Sequence, residues 1–120
     1  MNTESAVAWS LRAPSATGGK DYRILVFDCY LVIGWGSRIG TMQYKVNKVS
    51  SPEFARELAI VQTSRKEKAG YVLTLGPTRS NRPASEWAAE LPKHLDLRGM
   101  NGWLDHAFKI LLIEGTPLAS

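Results

Sequence analysis

Cysteine and histidine are scarce in this chain, and their scarcity excludes several kinds of site. One cysteine in 120 residues, Cys29, cannot form an internal disulfide or a zinc site with several cysteine ligands. His94 and His106 are isolated in the sequence, so neither is a credible metal ligand or catalytic base. No apolar run approaches the ~20 residues that a membrane-spanning helix needs, and the N-terminus lacks the pattern of a secretory signal. These absences predict a cytoplasmic protein with no metal, no cofactor and no membrane association.

Motifs of the common catalytic centres are missing as well. The chain has no GxSxG nucleophile motif, no Walker A phosphate-binding loop and no HExxH zinc motif. We therefore expect a protein that is not an enzyme.

Acidic residues are missing from one long stretch in the middle of the chain. None occurs between residues 28 and 53, a stretch that holds Arg38, Lys45 and Lys48. Between residues 20 and 82, eleven Lys/Arg stand against five Asp/Glu, a net charge of +6, while the whole chain carries +4. A local excess of positive charge favours a polyanionic partner, although a solvated basic face without function would have the same composition.

Hydrophobic periodicity predicts an antiparallel sheet. Apolar and polar residues alternate clearly at 42–49, as in a strand with one buried face. Strands are predicted, in chain order, at 7–12, 22–27, 30–36, 42–49 and 71–75. Asp28 and Cys29 would connect the second and third strands in a hairpin, but the pair lacks the Gly or Asn that tight turns favour, so the turn type stays open. Residues 1–6 are expected to be a flexible N-terminus and residues 76–84 a loop.

One long helix is predicted from about residue 52 to residue 68. Ser51 is suited to the N-cap and Pro52 to the first helical position. Cations in the last turn complement the helix dipole, and a glycine ends the helix: Arg65, Lys66, Lys68 and Gly70. An apolar stripe is predicted to face the sheet: Phe54, Ala55, Leu58 and Val61.

Residues 85–120 form a C-terminal extension that packs either on the domain or on a partner. Within 101–115, apolar residues recur at helical spacing: Trp103, Leu104, Ala107, Phe108, Leu111 and Leu112. We favour a helix here, although a buried strand would show a similar apolar run. The stripe either completes the core or serves a protein partner or a homodimer, with Trp103, Phe108, Leu111 and Leu112 as contacts.

The motif Trp-Gly-x-Arg-Ile-Gly-Thr stands between two of the predicted strands, and the predicted helix ends in Lys…Gly-Tyr. Together with the order of the elements, these motifs resemble the WGR domain. This domain occurs in poly(ADP-ribose) polymerases and in small bacterial stand-alone proteins, and the resemblance covers residues 7–75. The matching residues are Tyr22, Arg23, Ile24, Trp35, Gly36, Arg38, Ile39, Gly40, Thr41, Gln43, Phe54, Ala55, Lys66, Gly70 and Tyr71. The resemblance implies an α+β fold, an antiparallel sheet with one main helix packed on it.

The signature contains one extra residue, because the family reads Trp-Gly-Arg and this chain reads Trp-Gly-Ser-Arg. An extra residue in a strand turns every later side chain to the opposite face unless a β-bulge absorbs it. We expect a bulge at Gly36 or beside Ser37 that restores the facing of Arg38.

The resemblance also implies a function and a site. In the polymerases the domain contacts DNA near a break, through the signature Trp and Arg. By this likeness Trp35 and Arg38 would lead mostly sequence-independent binding of nucleic acid, DNA rather than RNA, assisted by Gln43, Lys45 and Lys48.

Three other interpretations of these residues remain open. Trp35 could be a core residue, and Arg38 could form a structural ion pair with Asp21 or Asp28. The whole module could instead dock a protein through the C-terminal apolar stripe.

Overall fold

One antiparallel sheet organises the part of the chain that the computed structural model describes, residues 5–14, 19–37, 42–83, 86–87, 89, 104–109, 111 and 115–117. The elements are β1 (Ser5–Ala13), β2 (Lys20–Phe27), β3 (Tyr30–Ser37), β4 (Gln43–Lys48), α1 (Pro52–Lys68), β5 (Val72–Pro83) and β6 (Thr116–Pro117). The strands lie in the order β4-β3-β2-β1-β5-β6. The predicted α+β fold, a sheet with one main helix packed on it, is confirmed.

The sheet is covered on both faces. Ile24, Leu25, Val26 and Phe27 on β2 are all buried, although successive residues of a strand point to opposite sides. We call the side that α1 covers the helix face and the opposite side the far face. The helix-face core contains Val7, Trp9, Leu11, Tyr22, Ile24, Val26, Leu31, Ala55 and Ala59. The far-face core contains Ala6, Ala8, Leu25, Phe27, Val32, Tyr44, Trp87, Leu104, Ala107, Phe108 and Leu111.

Helix α1 has the predicted bounds but buries only part of the predicted stripe: Ala55 is in the helix-face core and Leu58 is partly buried against it. The Ser51 hydroxyl accepts a hydrogen bond from the Phe54 backbone N–H at 3.1 Å, which caps the helix as expected. The residues of α1 that are buried are Ala55, Ala59 and Thr63. Phe54 and Val61 are 43% and 48% exposed, so their predicted place in the core is wrong. Large sheet residues such as Trp9 and Tyr22 already fill this face, and the small side of the helix lets the two layers approach.

Two segments predicted to lack secondary structure, 76–84 and 1–6, are partly in strands. The predicted loop at 76–84 belongs to β5 as far as Pro83, where it pairs with β1, for example Arg79 with Val7. Gly and Pro favoured a loop, but here they lie where the β1–β5 register shifts, and such irregular pairing tolerates both residues. β1 begins at Ser5 and Ala6 is fully buried, so the flexible N-terminus predicted for 1–6 is too long. The β2–β3 turn does form at Asp28 and Cys29, with Asp28 at φ 53.

The C-terminal extension supplies the cover of the far face. Residues 104–109 and 111 are helical, as favoured from the spacing, and Leu104, Ala107, Phe108 and Leu111 are buried in the far-face core. Phe108 and Leu111, each 1% exposed, are therefore core residues and not a partner surface. Trp103 and Leu112, the other two predicted contacts, lie outside the described residues.

A polar cluster joins this extension to the sheet. The Arg23 guanidinium donates to the Asp105 carboxylate at 2.6 Å and to the Tyr44 hydroxyl at 2.8 Å. The Tyr44 hydroxyl donates to the same carboxylate at 3.1 Å. Gly34, the direct partner of Tyr44 on β3, leaves room for the phenol ring, because a Cβ there would lie 2.5 Å from a ring carbon.

This environment shifts the pKa of each member of the cluster, most clearly those of Tyr44 and Asp105. Burial raises the pKa of Tyr44 to about 12, although the positive charge of Arg23 acts in the opposite direction. Burial would also raise the pKa of Asp105, but hydrogen bonds from Arg23, Lys109 and Tyr44 outweigh it and hold that pKa below its ordinary value.

Candidate functional site

Trp35, the signature tryptophan, is a surface residue on the helix face. It lies on β3, where it pairs directly with Tyr22 on one side and with Gln43 on the other. Its side chain is 41% exposed, in contrast to Trp9 and Trp87, which are 6% and 5% exposed. A core role alone does not account for this exposure, so the indole is available to a ligand.

Gln43 and Lys45 share this face with Trp35, but Lys48 does not. Gln43 pairs with Trp35 and Lys45 with Ile33, and directly paired residues of antiparallel strands point to the same side. Both side chains are exposed. Lys48 pairs with Tyr30 and its ammonium lies 5.9 Å from the centre of that ring, on the far face. The predicted group of five is therefore not brought together, because Lys48 is an odd number of residues from Lys45 in one strand.

The expected bulge is absent from the described pairing. β2 and β3 pair regularly through Gly36 and Ser37, and the β3–β4 pairing ends at Trp35 with Gln43. Ser37 therefore lies beyond the last β3–β4 pair, where an extra residue lengthens the connection between these strands and leaves their register intact. Arg38 itself lies outside the described residues. Asp21, one predicted partner of Arg38, pairs with the Arg12 guanidinium at 3.1 Å.

A cleft of about 560 Å³ opens beside Trp35. Its lining residues come from β2, β3, the last turns of α1 and the segment before β5: Lys20, Tyr22, Ile33, Trp35, Gly36, Lys66 and Tyr71. Trp35 is the neighbour of Tyr22 on β3, while Tyr71 approaches Tyr22 edge-on, with 6.0 Å between the ring centroids. Three aromatic residues thus line one concave surface.

Lys66 places a positive charge over these rings. Its ammonium lies 4.6 Å from the centre of the Tyr22 ring and 5.5 Å from that of Tyr71, close enough for cation–π attraction. Gln62, one helical turn earlier, donates a hydrogen bond to the Tyr22 hydroxyl at 2.7 Å and fixes that ring. Burial raises the pKa of Tyr22, although the hydrogen bond from Gln62 works in the opposite direction, so the phenol is neutral at ordinary pH.

The cations of this surface are not neutralised within the described part of the chain. No lining residue of the cleft is acidic, and the ion pairs that the described residues form are Arg12–Asp21, Arg23–Asp105 and Lys109–Asp105. Lys20, Lys45 and Lys66 take no part in them. An anion that approached the helix face beside Trp35 would meet positive charge without an opposing carboxylate.

Sequence reasoning assigned no ligand role to Lys20, Lys66 or Tyr71. Lys20 could have been found, because it lies two residues before Tyr22 in a strand and must share its face. Lys66 was expected only to complement the helix end. Tyr71 reaches the cleft because the chain reverses at Gly70, which has φ 103, and no periodicity signals such a reversal.

Within the described ranges, no group of three or more His, Cys, Asp or Glu side chains is arranged to hold a metal ion. No helix in those ranges combines the length and the apolar character needed to cross a membrane. What the cleft offers chemically is aromatic surface beside uncompensated ammonium groups, a combination that suits planar rings attached to anions.

Comparisons with known proteins bear on the fold alone. No protein-family model matches this chain, and no curated protein resembles it significantly. A crystal structure of a Bacteroides fragilis protein, solved by a structural-genomics consortium, aligns with a TM-score of 0.53 and 25% sequence identity. The alignment covers 57% of this chain and 19% of that protein, so the matched part of this chain spans about a fifth of that protein's length.

Proposed function

We propose that this protein is a non-catalytic, WGR-like nucleic-acid-binding module that uses the helix face around Trp35. The observation that carries the proposal is the exposed indole, which stands beside Gln43 and Lys45 on a surface whose cations have no described carboxylate partner. The resemblance of the signature to WGR domains agrees with this surface and favours DNA over RNA.

Each component of the surface has a physical role in such binding. An exposed indole can stack on a sugar or a base, a contact worth about 1–3 kcal/mol per stacked base. Lys45 can neutralise a phosphate, and the release of counterions makes that contribution sensitive to salt and insensitive to sequence. Gln43 can hydrogen-bond to the backbone without selecting a base.

The pair Lys45 and Lys48 provides a matched test, because both lie on β4 and carry the same charge but face opposite sides of the sheet. Binding of labelled duplex and single-stranded DNA, and of RNA, would be measured by fluorescence anisotropy at several salt concentrations. Lys45→Ala should weaken binding to every sequence and reduce the slope of log K against log salt by about 0.9 for duplex DNA. Lys48→Ala should produce a smaller change in both quantities.

Trp35→Ala should weaken binding at every salt concentration, because stacking does not depend on counterions. Its cost in stability should be below the about 3–5 kcal/mol of a buried tryptophan, since the side chain is 41% exposed. Equal binding by the parent and by folded Lys45→Ala and Trp35→Ala variants would show that the site is misplaced.

Failure of the parent to bind DNA or RNA at low salt would favour the alternative, a protein-docking module. The C-terminal residues Phe108 and Leu111 are buried, so the surface to mutate would then be the exposed apolar side of α1, at Phe54 and Val61. Docking there should persist at high salt, because apolar contacts are not screened.

A further inference from the structure

We infer that the cleft beside Trp35 takes an unpaired nucleobase, so that this module prefers single-stranded or gapped nucleic acid, or a free nucleotide, to a continuous duplex. The inference rests on the proposed function and goes further, because it names the state of the nucleic acid and a second set of contact residues. Those residues are Lys20, Tyr22, Lys66 and Tyr71, in addition to Trp35.

The shape of the site is the first reason. A flat aromatic platform could receive the backbone of a duplex, whereas this concave, open cleft of about 560 Å³ has the volume of a small-ligand site. A base within a duplex is stacked on both sides and paired along its edge, so it cannot enter a cleft without leaving the helix. A base in a single strand or at a gap has one free face or two, and it enters without that cost.

The lining of the cleft is the second reason. Trp35 offers an exposed ring to the cleft, and Tyr71, held edge-on to Tyr22, offers a partly exposed one. Ile33 adds apolar surface to the same cleft, and Gly36 lines it without a side chain. Rings in this arrangement recognise any base by its π-face, which matches a sequence-independent module.

The position of the charges is the third reason. The Lys66 ammonium lies against the rings of Tyr22 and Tyr71, and Lys20, two residues before Tyr22 on the same strand, also lines the cleft. A nucleotide has the same layout, a planar ring with a phosphate a few ångströms away. Among the residues that the structure describes, no acidic side chain lines the cleft to repel that phosphate.

The ratio of the affinities for single-stranded and duplex DNA, measured with the full-length chain, tests the inference. Labelled dT15, the same sequence as a blunt duplex, and a duplex with a central five-nucleotide gap would be compared by anisotropy, with dTMP as the free-nucleotide competitor. The parent should bind dT15 and the gapped duplex more tightly than the blunt duplex. Competition by millimolar dTMP would assign the cleft to a nucleotide monomer as well, whereas binding of dT15 without competition would assign it to the polymer.

Lys66→Gln and Lys68→Gln form the matched pair of variants, since both lysines lie in the last turn of α1 and only Lys66 lines the cleft. Lys66→Gln and Tyr71→Ala should lower the ratio of single-strand to duplex affinity, for Tyr71→Ala by about 5- to 140-fold, which corresponds to 1–3 kcal/mol at 1.4 kcal/mol per tenfold change. Lys68→Gln should leave that ratio unchanged. Lys66 is partly exposed, so its replacement should not unfold the chain, and the test survives if Tyr71→Ala fails to fold.

The failures of the two proposals can be told apart. If the parent binds blunt duplex through Trp35 and Lys45 but binds dT15 no more tightly, the inference is wrong and the proposed function stands. The inference is also wrong if Lys66→Gln and Lys68→Gln change the ratio equally. If the parent binds none of the three labelled DNAs at low salt, both proposals are wrong.

Discussion

Replacing Asp105 by alanine should loosen the C-terminal cover of the far face. The Asp105 carboxylate accepts hydrogen bonds from both Arg23 and Tyr44, at 2.6 and 3.1 Å, and these contacts connect the helical residues 104–109 to β2 and β4. Without the carboxylate, the Arg23 guanidinium keeps its contact with the Tyr44 hydroxyl and its position 5.2 Å from the centre of the Phe108 ring. A charge whose side chain is 15% exposed would then lack its counter-charge.

The exposure of the two partners sets the size of the effect. Breaking a fully buried ion pair costs about 3–5 kcal/mol, and an exposed pair contributes about 0–1 kcal/mol. With side chains 15% and 34% exposed, the pair of Arg23 and Asp105 lies between these limits, and we expect a loss of about 1–3 kcal/mol in the free energy of unfolding.

Lys109→Ala supplies the control for this change. Lys109 also pairs with Asp105, at 3.3 Å, but its side chain is 64% exposed and the pair has i,i+4 spacing, so its removal should cost about 0.3–0.5 kcal/mol. Urea unfolding of both variants, monitored by circular dichroism, measures the difference, and a loss of 1–3 kcal/mol moves the midpoint by on the order of 1 M. Equal costs for Asp105→Ala and Lys109→Ala would refute the role assigned to the contact between Asp105 and Arg23.

The pH dependence gives a second check on the same residue. The pKa of Asp105 is lower in the folded protein than its ordinary value of 3.8, so folding favours the ionised form. The stability that this carboxylate contributes is therefore complete above pH 3.8 and is lost as the pH falls through the lower folded pKa. The difference between the parent and Asp105→Ala should shrink over that range.

Two more predictions concern Tyr44. Gly34→Ala would place a Cβ 2.5 Å from the Tyr44 ring, which Arg23 and Asp105 hold in place, so it should cost about 1–3 kcal/mol in urea unfolding; an unchanged midpoint would show that the ring moves freely. The pKa of Tyr44 is about 12 against an ordinary 10.0, so the stability gained from its neutral form is present below pH 10 and lost as the pH rises toward 12. Tyr44→Phe cannot ionise, and it should lose about 1 kcal/mol less stability than the parent between about pH 8 and pH 11; equal losses would contradict the raised pKa.

The fold was predictable from sequence wherever one local signal dominated. The alternation at 42–49 and the cap at Ser51 gave β4 and α1 their type and nearly their bounds, because strand period and capping are local properties. Phe54 and Val61 were misassigned because the buried side of a helix is chosen by its partner layer. On this sheet Tyr22 and Trp9 leave space only for the alanine side of α1.

The candidate site was predictable in part, for a similar reason. Trp35, Gln43 and Lys45 share a face by strand pairing, which the alternation indicated. Lys48 belongs to the same basic stretch of sequence, but it lies three residues after Lys45 in one strand and therefore points to the opposite face of the sheet. Lys66 and Tyr71 reach the same cleft across 44 and 49 residues of sequence from Tyr22, a convergence that only the packing of α1 on the sheet creates.

The packing of the two faces also explains why the proposed ligand surface lies on the helix face. The C-terminal extension lies on the far face, and Arg23 with Asp105 fixes it there, so a ligand could reach that core only by displacing it. On the helix face, α1, with a length of about 26 Å at 1.5 Å per residue, packs on β1, β2, β3 and β5. The helix-face side chains of β4, Gln43 and Lys45, remain exposed, as does Trp35 at the neighbouring end of β3. The part of this face that α1 leaves uncovered thus carries the exposed indole and lysines without a described ion-pair partner. A ligand that bound there would cover the rest of the helix face, beside α1.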